Sequence, residues 1–132
     1  MTGGSTLITV SVVMLGGALG AVTRYLVDRA VQSRHETGFP LGTLLVNLAG
    51  SLLLGGLTGA GAALAPVVHE LLAVGVCGAL TTYSTFSFET WRLGEQRRIG
   101  AAVLNVLATV LGCVAAAFTA YTLVSMLVSG GA

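Results

Sequence analysis

The sequence predicts an all-α membrane protein with four transmembrane helices, the third of them broken mid-membrane. Three observations carry that expectation. Of 132 residues, 55% are hydrophobic and 8% are charged, and the mean hydropathy is +0.92. A water-soluble domain carries about 25% charged residues to cover its surface, so most of this surface is expected to face lipid. Four apolar stretches reach the roughly 20 residues that a spanning helix needs. The third contains the polar run Thr81-Thr82-Tyr83-Ser84-Thr85-Phe86-Ser87.

The spans are expected at about 7–31, 41–64, 67–91 and 99–128, as one unit over 1–132 with no linker or repeat. Pro40 and Pro66 stand at helix starts, where a missing N–H costs nothing. The N-terminus lacks the basic flank of a secretory signal, so the first stretch is expected to be a retained helix. Glycines and other small residues recur at helical spacing: Gly16 and Gly20, then Ser51, Gly55 and Gly59, then Gly112, Ala116 and Ala120. Such ladders let backbones approach closely. They are read as packing seams that include an oligomer interface. Four helices enclose little room for a pore, which also points to a partner chain.

A net charge of +1 and the absence of a Lys/Arg cluster argue against a nucleic-acid partner. Cys77 and Cys113 lie inside apolar stretches without metal-site spacing and read as small buried thiols. An enzyme is not expected. His35 and His69 fall at different connections, and no nucleophile–base pair is visible.

Polar residues within the spans must find partners, because an unpaired amide in hydrocarbon costs several kcal/mol. Asn47 reads either as an interhelical hydrogen bond or as a donor lining a polar path. Asn105, Thr109 and Cys113 follow at i, i+4, i+8 and form a polar line on the fourth helix. Arg24 sits late in the first helix, where it either faces a water-filled cavity or snorkels to the interface. Glu89 and Arg92 read as an interfacial ion pair.

Neither half of the third stretch alone crosses a ~30 Å core at 1.5 Å per residue. Together they do, with a polar middle. Non-helical backbone at that depth survives only where it is buried in protein or lines a cavity. Gly75, Gly78 and the interleaved aromatics favour a real break near 78–83 over a continuous helix. The N–H groups at one half-helix end suit anions, and the carbonyls at the other suit cations. Tyr83 and Phe86, three residues apart, share a helical face, and aromatic edges carry partial positive charge.

Three pieces in order give the whole pattern. They are Gly16-Gly17-Ala18-Leu19-Gly20-Ala21 with Arg24-Tyr25, Pro40-Leu41-Gly42-Thr43-Leu44-Leu45-Val46-Asn47 with Gly50-Ser51, and Gly78-Ala79-Leu80 leading into Thr81–Ser87. With this spacing the chain resembles the CrcB/Fluc family of fluoride channels over essentially all four helices. The resemblance implies a fluoride-selective channel that passively exports fluoride, in the plasma membrane, as an antiparallel dimer with two fluoride pathways. It further implies a structural sodium ion at the dimer centre, held by the backbone carbonyls of Gly78 and Thr81. Tyr83 and Phe86 would contact fluoride, with Asn47, Ser84, Thr85, Thr109 and the vestibule Arg24 along the pathway. The first aromatic is commonly Phe in the family, so Tyr83 is a departure.

In hairpin order the first and third connections share one side, and all six basic residues belong to it: Arg24, Arg29, Arg34, Arg92, Arg97 and Arg98. The positive-inside rule then puts both termini outside. Such a bias fits a chain of fixed orientation paired with an oppositely oriented homologue, against a homodimer of chains inserted both ways. Two other readings stay open. A proton-coupled exporter would need a carboxylate deep in the first helix, and none is present. A non-transporting subunit would use every polar residue as packing glue.

Overall fold

Leucine, valine and alanine dominate each apolar stretch, and a backbone out of water satisfies itself within one segment only as a helix. The computed structural model describes residues 3–131 and is helical almost throughout. Helix α1 is Gly3–Gln32 and α2 is Leu41–Ala60, followed by a 3-10 turn at Gly61–Ala63. The third span opens with α3 (Pro66–His69) and passes into a π-helical run, Glu70–Cys77. It ends its first half with α4, Gly78–Leu80. After Thr81 and Thr82 come α5 (Tyr83–Glu95) and then α6 (Ile99–Gly130). Four helical segments are long and apolar enough to cross a membrane: Ser5–Gln32, Leu41–Ala63, Pro66–Glu95 and Ile99–Gly130.

The helices overrun most of the expected spans. Helix α1 begins before residue 7, the third segment runs past Trp91 to Glu95, and α6 runs past Val128. Apolar composition marks the lipid-facing length, whereas a helix stops where its backbone turns. Helix α2 stops short of Leu64 because Gly61 adopts φ 50°, a left-handed conformation that glycine tolerates without a Cβ penalty. The π-helical run leaves no mark on composition, since its residues are as apolar as any α-helix.

Helix α2 packs chiefly on α6, and α1 packs on the π-helical run and α4. Glycines set both approaches. A Cβ at Gly55 would strike the Ala117 carbonyl, and one at Gly59 would lie 3.1 Å from Tyr121 Cα. One at Gly16 would meet Leu71 O and lie 3.0 Å from Gly75 Cα, and one at Gly20 would meet Val76 O. These two ladders therefore join helices within the chain. That bears out their reading as packing seams. At the basic end, Arg98 Nη2 donates to Thr37 O at 3.2 Å, so the first and third connections do meet on one side.

Candidate functional site

The third span breaks at two residues. Thr81 (φ −78°, ψ 154°) and Thr82 (φ −149°, ψ 126°) are extended, between the last turn of α4 and the first of α5. Thr82 then starts α5 as its N-cap, its hydroxyl accepting from Thr85 N–H at 3.2 Å. Thr82 Oγ1 also bonds Thr85 Oγ1 at 3.0 Å and lies 3.4 Å from Ser84 Oγ.

Asn47 reaches across from α2 and grips the break at both ends of its amide. Its Oδ1 accepts from Thr82 N–H at 2.8 Å, and its Nδ2 donates to Thr82 O at 3.0 Å. From the other side, Arg24 Nη1 donates to Thr81 O at 3.4 Å. Thr81 packs its methyl onto Gly50 and bonds its hydroxyl to Cys77 O at 2.9 Å.

A groove of about 490 Å³, open along one side, runs past this break. Asn47, Gly78, Thr81, Tyr83, Phe86 and Thr109 all line it, so most of the residues expected at the site come together. The Tyr83 and Phe86 rings lie 5.9 Å apart at 47°, and Tyr83 is 81% exposed. Thr109 is buried, and its Oγ1 has no hydrogen-bond partner among the described residues. Cys113, one turn on, also lines the groove; both thiols are free.

Other expected residues stand elsewhere. Arg24 is half-buried against the break and does not line the groove, and Ser84 and Thr85 are exposed beside the Thr82 hydroxyl. Asn105 leaves the polar line of α6 and donates to Thr90 Oγ1 at 2.9 Å, tying α6 to α5. Glu89 and Arg92 form no ion pair among the described residues. Both side chains border a separate cavity of about 310 Å³ at the basic end. Thr82 was the residue the polar run concealed. Its signal was a threonine immediately before a helical stretch, a preferred N-cap residue.

What the arrangement can do chemically follows from its parts. The α5 N-terminus and the positive ring edges favour an anion, and the carbonyls ending the run 66–80 favour a cation.

Comparison with known proteins agrees with this picture. Residues 11–121 match the family described as CrcB-like protein, Camphor Resistance (CrcB). A fluoride-specific ion channel FluC 1 of Frankia casuarinae is 53% identical over 112 residues, covering 80% of this chain and 87% of that one. A fluoride-specific ion channel FluC of Anaeromyxobacter dehalogenans is 50% identical over 118 residues, covering 87% and 94%. Another relative, fluoride-specific ion channel FluC 1 of Nocardia farcinica, is 46% identical over 120 residues, covering 91% and 83%. Four spanning helices, a third span broken at Thr81–Thr82 and these matches establish a multi-pass membrane protein that belongs to the CrcB-like family.

Proposed function

We propose that this chain forms a fluoride-selective ion channel of the plasma membrane, through which fluoride leaves the cell passively and its toxicity is relieved. The observation that carries the reading is a groove lined by Tyr83, Phe86, Asn47 and Thr109 at the helix break, in a chain about half identical to relatives named fluoride-specific ion channels. Stripping water from a small anion costs of order 20 kcal/mol in the Born limit. Ring edges, the unpartnered Thr109 hydroxyl and the remaining N–H of the Asn47 amide supply contacts in return. Ser84 and Thr85 stand at the α5 N-terminus, where they extend the donor set, and Arg24 adds positive charge nearby. A short, strongly donating path favours fluoride over larger, weakly hydrated chloride.

The break lies at mid-membrane in this reading, and a second chain closes the groove. The open side of the groove and the exposed Tyr83 ring support it. The assembly is an antiparallel dimer with two pathways. A structural sodium ion sits at its centre on the carbonyls of Gly78 and Thr81 from each chain. These oxygens suit a hard cation, which takes oxygen ligands: Gly78 is exposed to the groove, and Thr81 O, which accepts from Arg24 Nη1 at 3.4 Å, keeps its second lone pair for the ion.

Proteoliposomes containing the purified chain are expected to release fluoride on addition of a potassium ionophore, with chloride retained. Vesicles that keep their fluoride, with this chain alone and with any homologue encoded beside it, overturn the channel reading. Five of the six basic residues, all but the Arg24 that reaches the break, cluster at one end, which favours pairing with an oppositely oriented homologue. Reporters fused to the termini are then expected to face one way only, and equal populations facing each way would make the homodimer the assembly.

A further inference from the structure

In a continuous helix the Thr82 N–H would donate to the carbonyl of Gly78, four residues back. The preceding turn keeps this rule, with Thr81 N–H donating to Cys77 O at 3.0 Å. Gly78 is therefore the first carbonyl whose helical donor is diverted. What diverts it is Asn47, whose Oδ1 takes the Thr82 N–H at 2.8 Å. The second bond, Nδ2 to Thr82 O at 3.0 Å, holds the following peptide as well, so Thr82 is fixed on both sides of its Cα. Gly78 also has nothing within 4 Å of where a Cβ would stand, which leaves its side of the helix open to the groove.

We propose that Asn47 is the positioning residue of the cation site: by holding the Thr82 N–H, it keeps the Gly78 carbonyl free to bind sodium. The proposal rests on the sodium reading above and gives it a cause within the chain. Thr82 is buried, and an unpaired buried donor costs about 1–3 kcal/mol. Without the Asn47 side chain, the Gly78 carbonyl is the acceptor that helical geometry offers to this N–H. The turn then closes toward a helix, and the carbonyl is masked. Asn47 also lines the groove, and one of its two Nδ2 protons is left for that side. A single amide thus links the cation site to the proposed anion path.

Sodium is titrated into the purified full-length channel at constant ionic strength, with N-methylglucamine as the replacement cation. Thermal unfolding and sodium-23 line broadening report binding, and fluoride efflux is measured separately. Asn47→Ala is expected to raise the half-saturating sodium concentration at least tenfold. Thr109→Val, at a groove residue that makes no hydrogen bond to Thr82, is expected to slow efflux while leaving sodium binding within threefold of the parent. Should Asn47→Ala fail to fold, Asn47→Gln carries the test. Its amide sits one methylene farther out and cannot keep both bonds to an unmoved Thr82, so sodium binding is expected to weaken at least threefold. Sodium binding unchanged in the Asn47 variants, with efflux lost, overturns the proposal and leaves the sodium site standing. No sodium response in the parent channel overturns the sodium reading, and the proposal with it.

Discussion

Gly55→Val is expected to abolish the native bundle. At Gly55 the backbones of α2 and α6 meet directly. A Cβ there would run into the Ala117 carbonyl oxygen and lie 2.8 Å from both the carbonyl carbon and Cα of Ala117. Backbone cannot rotate aside as a side chain can, so the helices must separate. Valine adds two further carbons beyond that Cβ. Overpacking of a tight core costs about 1–3 kcal/mol and occasionally more, and a contact against backbone belongs at the upper end. Helices in lipid associate through such packing, with no hydrophobic force between them, so a lost seam is not replaced. The variant is expected to aggregate on extraction, or to melt with a loss of about 3 kcal/mol or more. Gly56 is the control on the same helix, because its Cβ would find only Val124 Cγ2 at an ordinary 3.7 Å. Gly56→Ala is expected to stay within about 0.5 kcal/mol of the parent. Chromatography in detergent and thermal melts decide the matter, and matching melts for the two variants would remove the seam from the argument.

The same glycines show what the chain does and does not disclose by itself. Spacing at i, i+4 announces that a backbone will come close, but not which backbone. Gly16 and Gly20 meet the third span, and Gly55 and Gly59 meet the fourth, both within the chain. The four spans were legible because lipid allows few polar residues, and because Pro40 and Pro66 mark helix starts. The break was legible because seven residues from Thr81 to Ser87 are too polar for a lipid face. The π-helical turns of Glu70–Cys77 were not, because an i+5 hydrogen bond needs no special residue. Asn47 was legible as an amide in need of partners. That both partners would be the backbone of one residue, Thr82, depends on how α2 lies against the break, which no local pattern records. Glu89 and Arg92 have the spacing of a helical ion pair, yet among the described residues the pair does not form, and both side chains border the cavity at the basic end.

Phe86→Ile is expected to lower fluoride efflux at least tenfold while leaving the fold intact. Phe86 is half-buried on α5, and its ring lies tilted beside that of Tyr83 at the groove. Isoleucine fills a similar space and remains apolar, so packing changes little. It lacks the positive ring edge that an anion leaving water can rest against. A tenfold fall in rate corresponds to about 1.4 kcal/mol on the barrier. The companion change, Tyr83→Phe, separates ring from hydroxyl. It keeps the edge, and the Tyr83 ring is exposed, so efflux within threefold of the parent is expected. Proteoliposome efflux, read beside the melting temperature of each variant, makes the comparison. Efflux unchanged by Phe86→Ile would take that ring out of the ion path. Efflux lost in Tyr83→Phe would shift the contact from the ring edge to the phenol hydroxyl, a donor in its own right. The two variants together thus decide which part of the aromatic pair meets the ion.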